Sequence, residues 1–294
     1  MLRDFPLRDL NTWGVGGTCI SYDSPRTALE AEESVAEVIR NEEKLFIIGA
    51  GSNVLISDGH INAAVIHTER LDSVQPSREE FDKIIRIEAG AGVPVRKLLE
   101  LSVNEGYEGL EFLTGIPGTL GGALWGNAGA AGHGFNGLIK EADAVDWNGR
   151  SFKIGEESFK WGYRTCPVDK STVALITSCV IYLNSAPKEV IFSNIKKFAS
   201  LKKDQPLGKK TSGCVFKNPP GMSAGRLLDE CGCKGISVGG AVVSNSHANF
   251  IENVGDASSQ DIYELCELCR EIVLKLCGVE LEYEINFLGT FKKN

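Results

Sequence analysis

Nine glycines fall between Gly109 and Gly134, in GLEFLTGIPGTLGGALWGNAGAAGHG. They are interleaved with Ile116, Leu120, Ala123, Leu124 and Ala128 and with no long polar run, which is not the composition of a flexible linker. Glycine permits φ > 0 and lets main chain approach a ligand closely. Successive amides can then point into one concavity and hold a pyrophosphate. The bland reading is a tight, buried set of turns with no ligand. A second candidate is LFIIGAGSN, residues 45–53, a buried strand running into a glycine turn. Amides after such a strand can also hold a phosphate. Ser52, Asn53 and Val54 follow Gly51, so the full G-x-G-x-x-G spacing of a dinucleotide fold is missing.

The elements that must position these loops alternate between helix and strand patterns. Residues 24–44 read as an amphipathic helix with an acidic surface. Strands are expected at 63–68 and 83–92, with a helix over 93–106 that ends on a glycine cap. Residues 141–147, 151–155 and 173–183 read as strands, and Asn148-Gly149 marks a hairpin. A basic helix is expected over 190–206, ending before Pro206. Beyond it come a helix at 223–232, a strand at 239–244, a helix over 258–277 and a last strand over 281–289. In the 258–277 helix, Ile262, Leu265, Cys266, Cys269, Ile272, Val273 and Leu276 form one apolar stripe.

Composition sets limits. The chain has 294 residues, 43% hydrophobic and 24% charged, with net charge -8. That balance fits a globular protein and argues against general nucleic-acid binding, which needs a basic face. No apolar run reaches the roughly 18 residues of a membrane span, and the N-terminal residues lack an apolar signal core. A cytoplasmic protein is expected, with no membrane and no nucleic-acid partner. Nine cysteines, an odd number, disfavour a disulfide framework. Cys231-Gly-Cys233 and Cys266-x-x-Cys269 do not have a standard zinc spacing, and buried cysteines acting as small hydrophobes are the better reading. No metal is expected.

Several segments together resemble the UDP-N-acetylenolpyruvoylglucosamine reductase family. They are NTWGVGG (11–17), IGAGSNVLISDG (48–59), GLEFLTGIPGTLGGALWGNAGAAG (109–132), GYR (162–164), SGCVFKNP (212–219), AGRLLDECGCKG (224–235), SNSHANFIEN (244–253) and GVELEYEINFLG (278–289). They occur in the family's order over nearly the whole chain. SHANFIEN and the short length are similar to the family's second type, which lacks a long tyrosine-bearing substrate loop. The resemblance implies an α+β protein: a vanillyl-alcohol-oxidase-like (PCMH-type) FAD-binding domain plus a smaller α/β substrate-binding domain. The expected boundaries are 1–200 for the first, in two subdomains of about 1–68 and 69–200, and 201–294 for the second. The last strand is expected to return to the flavin domain.

The family's activity implies FAD as bound cofactor, NADPH as co-substrate and UDP-N-acetylglucosamine enolpyruvate as the molecule reduced, to UDP-N-acetylmuramate. A monomer is expected. The FAD residues implied are Gly49, Ala50, Gly51, Ser52, Asn53, Gly115, Ile116, Pro117, Gly118, Thr119, Gly121, Gly122 and Asn127. Hydride goes to the methylene end of the enol ether, so negative charge builds on the carbon bearing the carboxylate. Arg164, in the family's YR pair with Tyr163, suits that charge because its planar cation can fork onto a carboxylate. Glu284 matches the family's catalytic glutamate. Tyr163, Lys202 and Asn218 fall where substrate is bound, with Lys203 a competitor for Lys202. His247, Asn249 and Asn253 are placed beside the pocket without a catalytic role.

One departure stands out. Where the best-known members carry a serine proton donor in GS-x-F-x-NP, this chain has Cys214 in Gly213-Cys214-Val215-Phe216-Lys217-Asn218-Pro219. A free thiol, with pKa about 8.5, is a stronger acid than an aliphatic hydroxyl. Cys214 is therefore expected to deliver the proton; the alternative is a space-filling cysteine with Glu284 or water as donor.

Overall fold

The computed structural model describes residues 1–78 and 84–292. Among them are six α-helices: α1 (Ala28–Arg40), α2 (Val95–Glu105), α3 (Leu120–Trp125), α4 (Lys188–Ser200), α5 (Ala224–Glu230) and α6 (Ser259–Cys277). With several mainly antiparallel sheets they make an α+β fold. The chain divides into two compact units. One comprises Met1, Tyr22–Ala50 and Ala64–Lys203; the other comprises Leu2–Ser21, Gly51–Ala63 and Asp204–Asn294.

The first unit is built on an antiparallel sheet. Its order is Ser151–Gly155, Ile139–Asp146, Val173–Ser185, Ile84–Gly90, Val74–Arg78, and Tyr107–Glu108 pairs the end of the long central strand. The strand expected at 83–92 is thus Ile84–Gly90, and Lys83 lies outside the described residues. Side chains alternate across a strand, so each strand feeds two cores. Ala144 and Ile176 join Ile87, Leu98, Phe112 and Phe135 on one face; Val145 and Leu175 join Ala31 and Val35 of α1 on the other. Phe112 and Phe135 meet edge to face at 5.3 Å between centroids. The Asn148-Gly149 hairpin is present, and a Cβ on Gly149 would lie 2.8 Å from Ala36 Cβ. Leu45–Ile48 runs parallel to Ala64–His67. Gly106 caps α2 with φ 75 and donates to Ser102 O, as the sequence predicts.

α4 departs from expectation. It ends at Ser200, short of residue 206, because Leu201 closes it and Lys202 N turns back to Ala199 O at 3.0 Å. The chain is therefore already in turns when Pro206 arrives.

Leu2–Pro6 lies beside Thr18–Asp23, which lies beside His60–His67. In the second unit, Val54–Ile56 pairs parallel with Asn286–Leu288. A small antiparallel sheet orders Ser237–Val238, Ala241–Val243 and Ile251–Asn253. Over it lies α6, started by a reciprocal cap: Asp261 N donates to Ser258 Oγ at 3.0 Å and Ser258 N to Asp261 Oδ2 at 2.9 Å. Its buried stripe runs from Ile262 through Leu265, Cys266 and Cys269 to Val273. Leu276, expected in that stripe, is 64% exposed, because the last turn runs beyond the buried cluster. The last strand is likewise shorter than 281–289: only Asn286–Leu288 is strand, while Tyr283 makes one isolated bridge to Phe216.

NTWGVGG is pinned across this unit. Trp13 is fully buried, its Nε1–H donates to Ile251 O at 2.9 Å, and its own carbonyl accepts from Asn253 Nδ2 at 2.9 Å. Trp13→Phe removes the indole donor, strands a buried carbonyl and leaves a gap. It is expected to cost about 2–4 kcal/mol. Denaturant unfolding of the two proteins measures it; a difference below about 1 kcal/mol counts against this anchor.

Candidate active site

In the first unit, Gly49 follows the strand Leu45–Ile48 and packs on Thr119: an added Cβ would lie 2.4 Å from Thr119 Oγ1. Thr119 in turn caps α3, accepting from Gly122 N at 3.4 Å. Residues 118–121 run beside 91–95, with Val95 N bonded to Gly118 O, Leu120 N to Val93 O and Gly121 N to Ala91 O, all at 2.8–2.9 Å. Contact there is close enough that a Cβ on Gly121 would sit 2.7 Å from Ala91 Cβ. Gly115 and Gly118 take φ of 68 and 122. The glycines of this stretch thus satisfy both readings, tight buried packing and left-handed turns.

The Lys202 side chain lies over that loop. Its Nζ donates to Thr114 O at 2.5 Å, and its Cδ would be 3.2 Å from a Cβ on Gly115. Lys203 is exposed. Arg164 and Asn127 are held together: Arg164 Nη1 donates to Asn127 O at 3.4 Å, and Asn127 Nδ2 donates to Gly162 O at 2.6 Å. Both are non-glycine residues in the left-handed region, with φ of 51 and 42. Such conformations cost energy and persist where the surroundings enforce them. Tyr163 is 59% exposed, with its ring 5.7 Å from the Arg164 guanidinium carbon.

Sequence reasoning missed one contributor here. Buried His67 hydrogen-bonds the backbone at Gly49 and meets Tyr22 Oη at 3.0 Å through Nδ1. Burial lowers its pKa, against an opposing pull from Glu69. No spacing in the sequence signals that arrangement.

The second unit brings Cys214, Glu284 and Asn53 into one backbone network. Glu284 N donates to Val215 O at 2.8 Å, Asn53 Nδ2 donates to Glu284 O at 3.1 Å, and Asn286 N donates to Asn53 O at 3.0 Å. On the other side of the Cys214 segment stands Asn249. It accepts from Phe216 N through Oδ1 at 2.9 Å and donates through Nδ2 to Phe216 O at 2.8 Å, while its carbonyl accepts from Val215 N at 2.9 Å. Cys214 is half-buried and follows Gly213, whose φ is 77. Glu284 is half-buried too. Asn218 accepts from Ala224 N at 2.9 Å, at the first turn of α5. Ser52 belongs to the same turn as Gly51.

Tyr283, beside Glu284, is an anchor. Its hydroxyl donates to Glu267 Oε1, which Arg270 Nη1 also contacts at 2.8 Å, and Arg270 lies 5.0 Å from the Tyr283 ring centroid. Burial, then the neighbouring Cys266 and Glu267, raise its pKa far above the usual phenol range. The phenol therefore stays protonated and structural. Among the described residues no three His, Cys, Asp or Glu side chains converge as a metal site, and no helix is long and apolar enough to cross a membrane.

The family matches show this α+β fold to be that of a PCMH-type FAD-binding oxidoreductase. Residues 21–155 match the FAD binding domain family, and residues 205–288 match the C-terminal domain of UDP-N-acetylenolpyruvoylglucosamine reductase. The reductase of Caldicellulosiruptor bescii is 33% identical over 99% of this chain and 91% of its own. That of Protochlamydia amoebophila is 36% identical over 96% and 92%. A crystal structure of the reductase (MurB) from Thermus caldophilus superposes with TM-score 0.80 at 31% identity, covering 96% of this chain and 97% of that one. The chain belongs to the UDP-N-acetylenolpyruvoylglucosamine reductase family, flavoprotein oxidoreductases of peptidoglycan synthesis.

The positive-φ turns at Gly51, Gly115 and Gly118 present main chain without side chains, which suits an FAD pyrophosphate. Gly51 has φ 60, and an added Cβ would lie 1.9 Å from Leu10 O, while Thr12 N donates to Gly51 O at 3.2 Å. Only glycine can turn there. Gly51→Ala is therefore expected to purify with less than about a tenth of the wild-type flavin content, read from visible absorbance; near-full occupancy would contradict the assignment of this turn to the cofactor.

His247 supplies a pH prediction. Its Nδ1 accepts from Asn249 N at 3.3 Å, and its ring stands 4.9 Å from that of Phe250. Burial lowers its pKa; Lys234 adds to this, and Asp204 and Asp229 oppose it. A half-buried histidine with a lowered pKa binds fewer protons than the unfolded chain below about pH 6.5, so its contribution is complete above that and declines as acid is added. His247→Asn keeps an acceptor without the titration. It is expected to flatten the fall of the melting temperature between pH 7 and 5, and an unchanged slope would remove His247 from the cause.

Proposed function

We propose that this chain reduces UDP-N-acetylglucosamine enolpyruvate to UDP-N-acetylmuramate with NADPH as the hydride source. The observation that carries the residue assignment is the direct backbone pairing of the Cys214 and Glu284 segments, through Glu284 N and Val215 O at 2.8 Å. In the first unit most of the assigned residues serve FAD, while Tyr163, Arg164 and Lys202 are assigned to the substrate; in the second the assignments are to the sugar nucleotide, apart from Gly51, Ser52 and Asn53, which continue the flavin turn. Gly49, Ala50, Gly115, Ile116, Pro117, Gly118, Thr119, Gly121, Gly122 and Asn127 are the first unit's share of the cofactor site. FAD held by these residues would supply the hydride transfer, from the dinucleotide to the methylene carbon of the enol ether.

The protein's own tasks follow from the charge that this transfer creates. Arg164 neutralises the substrate carboxylate; its guanidinium is steadied by Asn127 O, and the Asn127 carboxamide holds the Gly162 carbonyl two residues before it. Glu284, carrying a proton, donates a hydrogen bond to the carboxylate as the enolate forms. The Cys214 thiol gives its proton to the carbon next to that carboxylate, and the thiolate left behind recovers a proton from water. Asn218 and Lys202 bind the diphosphate, Lys202 being favoured over Lys203 by its place over Thr114 and Gly115. Tyr163 adds a substrate contact beside Arg164. A cytoplasmic location and a monomeric state are part of this reading.

A single-turnover experiment tests the donor. Protein with its flavin chemically reduced under anaerobic conditions is mixed with the enolpyruvyl sugar nucleotide, and flavin reoxidation is followed by absorbance. Cys214→Ala is expected to slow reoxidation about a hundredfold, and Cys214→Ser to retain most of the rate. If the alanine variant reoxidises as fast as wild type and yields the same product mass, Glu284 or water is the donor.

A further inference from the structure

Away from the proposed chemistry, two cysteines face each other at the surface of the second unit. Cys231 closes the C-terminus of α5, and Cys277 is the last residue of α6. Their sulfurs are 3.3 Å apart, inside van der Waals contact. Cys277 is exposed and Cys231 half-buried, so one sulfur is open to a reagent and the other waits directly behind it. A second pair, Cys233 with Cys269, is fully buried and closed to any soluble oxidant.

We propose that Cys231 and Cys277 form a dithiol modification site, which low-molecular-weight disulfides convert to a Cys231–Cys277 disulfide. A disulfide requires the sulfurs to close by about 1.3 Å, a movement within the reach of side-chain rotation at two helix ends. Burial and the hydrogen bond with Cys277 push the Cys231 thiol up to about 11, which makes it the slower nucleophile at neutral pH. Cys277, the exposed sulfur that a soluble disulfide reaches first, is the attacking one. Its thiolate attacks one sulfur of RS–SR; the Cys277–SR bond forms, the S–S bond breaks and RS⁻ leaves. Cys231, losing its proton, then attacks Cys277 Sγ and expels the second RS⁻. Two protein thiols are oxidised, one small disulfide is reduced, and the two protons released end on the two RSH.

The bond would join two elements that adjoin assigned residues. α5 begins at Ala224, whose amide is held by Asn218, and α6 leads through Gly278 into the stretch that holds Glu284. It would close a loop between positions 46 residues apart, which restricts the unfolded chain more than the folded one. The proposal does not depend on the reductase mechanism.

The test uses the full-length, flavin-loaded protein and oxidised glutathione as the probe. After incubation, free thiols are alkylated, the protein is digested and peptides are weighed. The expected product is a Cys231–Cys277 linked peptide two hydrogens lighter than its parts, with Cys233 and Cys269 alkylated only after unfolding. Cys231→Ser is expected to stop at one glutathione on Cys277. The bridged wild type is expected to melt several degrees higher than its reduced form, a shift that Cys277→Ser does not show. Two results would overturn the proposal. One is glutathione retained on Cys277 of the wild type without a bridge; the other is both sulfurs still alkylated after prolonged oxidation.

Discussion

A segment that lies in no long strand still has to satisfy its amides, and in the second unit that demand falls on Asn249. One carboxamide takes both the N–H and the C=O of Phe216, as a neighbouring strand would, and the Asn249 carbonyl takes Val215 N. The opposite edge of the same short segment is then free to pair with Glu284 N and, through Lys217 N, with Glu282 O. Leaving two buried peptide groups without partners would cost about 1–3 kcal/mol each. The positions of Cys214 and Glu284 therefore rest in part on the Asn249 side chain, through the Phe216 peptide groups. Tyr283 adds to the constraint from below, through Glu267 and Arg270.

The first unit uses strain where the second uses a clamp. Asn127 and Arg164 are two of five non-glycine residues with positive φ among those described. Each is bonded to the other's segment, so the cost at one is met by contacts at the other. An arginine on a relaxed turn would lose more rotamer freedom on meeting a carboxylate. One whose main chain is already fixed has less to lose.

Much of this was legible from residue types. The glycine runs, the Gly106 cap, the Asn148-Gly149 hairpin and the apolar stripe of α6 are local signals, and the structure contains each of them. The motif order identified the family before any coordinates. What was hidden depends on residues far apart in the chain. Asn286–Leu288 reads as part of a longer strand until its partner, only Val54–Ile56, is known. Leu276 continues the helical period perfectly well; it is exposed because the buried cluster stops before it. α4 ends where a lysine amide turns back, which no propensity encodes. The Tyr283 anchor and the His67 contact with Gly49 join residues on different elements, so no sequence spacing points to them.

The second unit is assembled from three separate stretches of chain, and this bears on how the protein is made. Trp13 bonds a carbonyl 238 residues further along. At synthesis rates of 5–20 residues per second, Trp13 emerges about 10–50 s before Ile251 exists. During that interval Val15 and Leu55, also buried in the finished unit, have no core to enter. The first unit's long sheet, whose strands lie within 74–185, can close much sooner. The growing chain thus carries a folded middle while two upstream stretches of the second unit wait for their apolar partners.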